Sequence, residues 1–335
     1  PPPATLPYNA PPTTTAPVGP WQQYPNAPAA PSYQQQPGAL LPNGVNNPFG
    51  WQQGSWSFQG EDGYIVQAQR FLQEMGVEHT WLHGDGSADN FEIHRSEIYS
   101  TFAIPMPYSI ETPILVTPGF AANWFEGPVG DPAGMPRGPD LPPRTYDAYL
   151  DVAWYPQFSE VIGAELGART GVWTDFDHTN SDSVRILGRG LVKVAITPQL
   201  DVLVGAVYLD RVRVKFLPAG GFYYRPTPEW DMYLVFPNPK VRKHFTTIGN
   251  SEWYWYVTGE YGGGSWTVSR AGTPDRIDIN DIRVSAGLEW ETLTKIRGHI
   301  EAGYVFDREV LFDETGMPRE FKPDDTFMVR GGVDF

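Results

Sequence analysis

Residues 282–306 read IRVSAGLEWETLTKIRGHIEAGYVF. Ile282, Val284, Ala286, Leu288 and Trp290 alternate with Arg283, Ser285, Gly287, Glu289 and Glu291. After the turn ETLTK, Gly298, Ile300, Ala302, Tyr304 and Phe306 alternate with Arg297, His299, Glu301, Gly303 and Val305. Period two is the signature of an extended strand with two chemically different faces. Each run is about ten residues, the length of a tilted strand that crosses a bilayer. Strands in soluble sheets average about five or six.

The same pattern spreads outward along the chain. Tyr146, Ala148, Leu150, Val152 and Trp154 alternate with Asp147, Tyr149, Asp151 and Ala153. Val184 to Ile196 alternates with Arg185, Arg189 and Lys193 on the other face. Phe327, Val329, Gly331, Val333 and Phe335 alternate with Met328, Arg330, Gly332 and Asp334. Fourteen strands are predicted at 77–83, 90–104, 113–125, 145–155, 161–174, 184–196, 199–211, 219–225, 229–236, 240–246, 252–262, 279–290, 296–308 and 326–335. Prolines 226, 228, 237 and 239 crowd the middle three, and merging those gives twelve. Short turns (PQFSE, TPQ, ETLTK) alternate with long polar segments at 84–90, 126–143, 175–183, 270–277 and 309–324. That is an all-β, antiparallel up-and-down transmembrane barrel, entered and left at its short-turn rim. Trp154, Trp173, Trp253, Trp255, Trp290 and Phe335 end the apolar faces and are expected at the membrane–water boundaries.

Composition narrows the function. Cysteine is absent, which excludes disulfides, thiolate metal sites and cysteine catalysis. The formal charge of −15 argues against nucleic acid as a partner. No stretch approaches the ~18 apolar residues of a spanning helix.

Residues 1–60 form a separate arm. They contain no Asp, Glu, Lys or Arg, and proline recurs throughout. Extended polyproline-like chain is expected there, either as a passive linker or as a tether docking on the cell wall, a periplasmic partner or a second copy of this chain. The opening Pro1-Pro2-Pro3 reads as a processed end. Over 61–76, Ile65, Ala68, Leu72 and Met75 at helical spacing with Gly76 behind them predict a short amphipathic helix or plug. The barrel then occupies 77–335.

The segments DLPPRTYDAYLDVAW, GAVYLDR, LPAGGFYYRP, LVFPNPK, GEYGGGSW, NDIRVSAGLEW and GYVFDRE occur in that order. Together they resemble an uncharacterised family of predicted bacterial outer-membrane β-barrels, over roughly residues 77–335. The resemblance implies fold and an outer-membrane location, with lipid and lipopolysaccharide as surroundings, and no activity. The alternating last strand ending in Phe335 also looks like the signal that such barrels present to their insertion machinery.

With the apolar faces toward lipid, the other faces line a lumen. Arg185, Arg189, Lys193, Arg211 and Arg283 supply base, and Asp147, Asp151, Glu165, Glu289 and Glu301 supply acid. Such rows select solutes in an open pore, or pair with one another across a closed one. The 61–75 segment or the 126–143 loop is available as a plug. No catalytic residue is identified. None of the six histidines (79, 83, 94, 178, 244, 299) has a serine at a meaningful spacing. His79 and His83 share a strand face about 13 Å apart, too far to chelate one metal. The acidic clusters Asp85/Ser87/Asp89 and Asp175/Asp177/Asn180/Asp182 match no full calcium motif and read as solvated loops. No cofactor or metal is expected. Three functions stay open: porin-like passage of small hydrophilic solutes, a structural envelope barrel that docks through its arm, and a secreted soluble β-protein binding carbohydrate.

Overall fold

The computed structural model describes residues 72–84, 91–106, 109–127, 141–177, 179–270, 272–292, 296–313 and 320–335. Counts and absences below refer to these residues. The 1–60 arm and the first calcium-like cluster lie outside them.

Fifteen strands follow one another: β1 (Leu72–Leu82), β2 (Glu92–Met106), β3 (Ser109–Glu126), β4 (Arg144–Trp154), β5 (Ile162–Thr174), β6 (Val184–Thr197), β7 (Leu200–Tyr208), β8 (Phe216–Tyr224), β9 (Trp230–Phe236), β10 (Lys240–Ile248), β11 (Ser251–Arg270), β12 (Thr273–Thr292), β13 (Arg297–Phe312), β14 (Glu320–Phe321) and β15 (Thr326–Asp334). Each pairs antiparallel with its predecessor up to β13, which pairs with β15, and β15 pairs with β1. The two-residue β14 only adds to the side of β13. The result is a closed barrel of fourteen strands. Closure matters physically, because it leaves no unpaired edge in the wall. The three proline-flanked strands are separate, as β8, β9 and β10, and they are the shortest region of the wall.

Both chain-terminal strand ends share one rim, the terminal rim. There the connections 107–108, 198–199 and 249–250 are two residues long. The opposite loop rim carries 83–91, 127–143, 175–183 and 313–325. Two features depart from the predicted pattern. Residues 72–76 are strand, not helix. A bulge between Leu72 and Glu74 turns both Leu72 and Met75 outward, so a spacing of three arises without a helix. The remaining helix positions, 61–71, lie outside the described residues. Residues 270–277 are not a loop either. Arg270 pairs with Thr273, and ladder pairing continues unbroken to Ser251 and Thr292.

Period two sends apolar side chains outward all round. Ile98, Leu150, Val204, Val284 and Ile300 are 41 to 65 % exposed. Aromatics border this band at both ends. Trp154, Trp253, Trp255, Trp290 and Phe335 lie on the outer face at the terminal rim, with Trp253 stacked on Trp290 at 5.5 Å. Trp81, Trp124, Tyr146, Phe216 and Phe327 border the loop rim. Trp173 is the exception. It is 6 % exposed and packs inside the barrel. Its odd position in β5, shared with Glu165 and Arg169, sets that inward direction.

Inside, tyrosines lie across glycines on neighbouring strands. Tyr99 pairs with Gly76, Tyr149 with Gly119 and Tyr256 with Gly287. A Cβ on Gly119 would sit 2.2 Å from Cζ of Tyr149. Gly119→Val should therefore push Tyr149 out of place and destabilise the barrel by about 1–3 kcal/mol. Denaturant unfolding in detergent, followed by the gel shift of folded barrel, reads this; an unchanged midpoint would refute the packing.

Candidate functional site

The inward faces are charged, and the interior is filled. Ten arginines and fifteen carboxylates are buried. Removing ions from water is costly unless they pair, and here the register brings opposite signs together. Arg95 on β2 donates to Asn123 Oδ1 at 3.0 Å and to Glu97 Oε2 at 3.0 Å, and it also bonds Asp147. Tyr149 donates to Glu97, and its ring lies 3.8 Å under the Arg169 guanidinium, which donates to Asp151 at 2.7 Å. A second group centres on Arg330. It reaches Glu260 at 2.9 Å, Glu301 at 3.0 Å and Glu78 at 3.8 Å. Glu260 also meets Arg283 at 3.4 Å, and Arg283 donates to both oxygens of Asp281 at 2.6 and 3.0 Å. Near the terminal rim, Glu289 takes Arg242 and Lys240, and Arg297 donates to Glu74 at 2.8 Å.

The predicted lumen residues on strands lie on the inner face, whereas Arg211 is beyond the end of β7, in the 209–215 connection, and turns in against the hairpin. Arg185, Arg189, Arg211, Arg283, Asp147, Asp151, Glu165, Glu289 and Glu301 are buried, and Lys193 is half-buried. They form pairs rather than opposed walls: Asp151 with Arg169, and Glu165 with Arg189 at 3.9 Å. The sequence reading missed Arg95, Glu97, Glu78, Glu260 and Arg242. Glu78, Arg95 and Glu97 sit beside outward polar residues His79, His94 and Ser96, which hides the alternation.

The mouth at the loop rim is covered by the β11–β12 hairpin. β11 pairs with β10 only as far as Thr258. From Glu260 onward it has no β10 partner, though it stays paired with β12, and its free edge meets β5 across the barrel, with Thr267 paired to Thr174. The departure runs through Gly262, Gly263 and Gly264. Gly263 has φ +88°, and a Cβ there would sit 1.8 Å from the Ile279 carbonyl oxygen, so only glycine serves. Beyond it both hairpin faces are buried. Trp266 is fully buried and donates to Asp147 Oδ1 at 2.7 Å. It packs on Phe125, while Trp173, Val268, Ile277 and Phe312 complete an apolar layer. Asp175 accepts from the Ser269 N–H at 2.6 Å and from Asp177, so this carboxylate anchors the hairpin. On the opposite flank Arg211 donates to the Gly262 carbonyl at 2.8 Å and to Asn280 at 2.6 Å.

Arg330→Gln should leave Glu301 buried without its cation and Glu260 with Arg283 alone, and cost about 3–5 kcal/mol. The unfolding midpoint in detergent should fall by that amount and recover in part with Arg330→Lys. A drop under a tenth of this size would mean that water, not Arg330, balances those carboxylates.

No protein-family model matches the sequence, and no curated protein matches it. Among solved structures the chain is similar to a KdgM porin, at 10% identity and a TM-score of 0.35 over 78% of this chain and 98% of that one. It is similar to the NanC porin at 10% identity and a TM-score of 0.38, over 78% and 98%. It is also similar to an outer membrane channel from Pseudomonas putida F1, at 10% identity and a TM-score of 0.36, over 83% and 98%.

Proposed function

We propose that this chain is a porin-like barrel of the bacterial outer membrane that passes small hydrophilic solutes, seen here in a closed conformation. One observation carries the reading: a closed ring of fourteen antiparallel strands is apolar outside, bordered by aromatics at both rims, and charged inside. A soluble carbohydrate-binding protein has no use for such a continuous apolar belt. In this orientation the terminal rim faces the periplasm, and the insertion machinery reads β15.

Two features set the conduction properties. The hairpin tip is the closing element, because its β11 side crosses the mouth on contacts to Asp147, Thr174, Asp175 and Arg211, while its β12 side stays paired with β13 only as far as Ile277. Carboxylates outnumber arginines inside, so cations pass ahead of anions. The filled interior favours a second reading, a structural barrel that never opens.

A variant separates the two. Gly264 and Ile279 are register partners, so joining them through an Asn-Gly turn removes the crossing tip and keeps the ladder. In planar bilayers wild type should insert and open rarely, whereas this variant should show steady steps. Insertion of both proteins without conductance would establish the structural barrel. In a salt gradient the variant's reversal potential should lie toward the cation equilibrium value. Within the conducting variant, Arg283→Glu should move it further that way, and an anion-selective current would overturn the lumen assignment.

A further inference from the structure

The outer face of β1 and β2 breaks the apolar rule. Where the rest of the wall carries aliphatic side chains, these two strands carry His79, Glu92, His94 and Ser96, all outward and none fully buried. Polar groups on a lipid-facing wall are unfavourable. Here they are joined in one chain of hydrogen bonds. Ser96 Oγ lies 2.8 Å from Nδ1 of His79. Nε2 of His79 lies 3.4 Å from Nδ1 of His94. Nε2 of His94 lies 3.0 Å from Oε1 of Glu92, which also accepts from the Trp81 indole at 2.7 Å.

Two proton arrangements satisfy every contact, a doubly protonated His94 donating both ways or a neutral relay, and the neutral relay is the one that frees a base. In that relay the Ser96 hydroxyl donates to His79, the other N–H of His79 donates to His94, and His94 donates to the carboxylate. Both imidazoles are then neutral, and Nδ1 of His79 is a free base aimed at a hydroxyl. Nucleophile, base and an orienting acid in series are the parts of acyl transfer. The surroundings suit an acyl chain. Beside His79 on β15 is Gly331, and beside Ser96 on β3 is Ala122, so the small neighbours leave the pair uncovered. Val329 and Trp124 flank the level above. His79 stands roughly 10 Å along β1 from its loop-rim end, at the depth where lipid ester groups meet the hydrocarbon.

We propose that Ser96 and His79 form a hydrolase site on the outer wall that cleaves acyl esters of outer-leaflet lipids. It rests on the membrane placement proposed above, not on conduction. Ser96 Oγ attacks the ester carbonyl carbon while His79 Nδ1 takes the hydroxyl proton. The carbon–oxygen bond to the lipid backbone breaks, and that oxygen leaves with the proton from His79. Water, deprotonated by His79, then attacks the acyl-serine, releasing a fatty acid and restoring Ser96. Ser96 and His79 are the catalytic residues; His94 and Glu92 are positioning residues that hold the imidazole.

The full chain, purified in detergent, is treated with a fluorophosphonate and separately given phosphatidylethanolamine or lipopolysaccharide in mixed micelles. The expected result is an adduct on Ser96 and fatty-acid release. Release should fall about 10³-fold or more in Ser96→Ala and in His79→Asn. Glu92→Gln should lower kcat with KM unchanged, which a merely structural role would not separate. Release from only one of the two lipids identifies the source of the ester. No adduct together with no release overturns the proposal, as does release that Ser96→Ala leaves unchanged. The adduct is read on wild type, so it does not depend on a variant folding. A chain that stays dispersed without detergent would instead overturn the membrane placement, whatever the outcome with the esters.

Discussion

Ten arginines are buried inside this barrel, and none has water enough to keep its charge alone. Eight of them meet carboxylates, while Arg211 and Arg308 donate to backbone carbonyls, with Asn280 also accepting from Arg211, and the fold decides which partner each finds. Arg330 on β15 draws Glu78 from β1, Glu260 from β11 and Glu301 from β13, so one guanidinium ties together four strands. Arg95 does the same for β2, β3 and β4 through Glu97, Asn123 and Asp147. Backbone ladders close the ring, but ladders alone leave a flexible tube. The charge pairs span it, and the tyrosines laid across glycines fill the space between.

The height of the wall explains the shape of the mouth. β8, β9 and β10 run nine, seven and nine residues, while β11 and β12 run twenty each. The extra length of β11 has no neighbour on its β10 side. A bare strand edge is unfavourable, so it must be met or covered. Glycines at 262–264 let it turn inward, where β5 meets its edge and the Leu209–Lys215 connection supports its flank. Closure at the loop rim thus follows from unequal strand lengths plus one hinge, with apolar packing of Trp266 and Trp173 added on top.

Much of this was legible in the sequence, and the failures are physical. Strand number and the direction of Trp154, Trp290 and Phe335 followed from period two alone. Trp173 was misplaced because its aromatic character was weighed above its parity, which already put it beside Glu165 and Arg169. Leu72 and Met75 mimicked helical spacing through a bulge, which a one-dimensional pattern cannot register. The hairpin tip was hidden because Gly272, Thr273 and Pro274 are turn residues, and the pairing of Trp266 with Asp147 spans 119 positions. The serine at 96 and the histidine at 79 are 17 residues apart and meet only through the β1–β2 register.

The places where the alternation breaks are therefore informative in themselves. Period two with one apolar face states that one side meets lipid and the other does not. Beyond Gly264 both faces of β11 are buried, and that stretch meets protein on both sides. On β1 and β2 the apolar outer face of Met75, Val77, Ile98 and Ile104 gives way toward the loop rim to a polar row, which still belongs to the wall. Ser96, His79, His94 and Glu92 point out together, while Arg95, Glu97 and Glu78 on the opposite parity make the interior pairs. Folding does not require this row; a wall of valines would satisfy the same ladder at lower cost. A polar row kept at the lipid boundary, internally hydrogen-bonded and flanked by Gly331 and Ala122, is a feature that the ladder does not require and that the proposed outward-facing role accounts for.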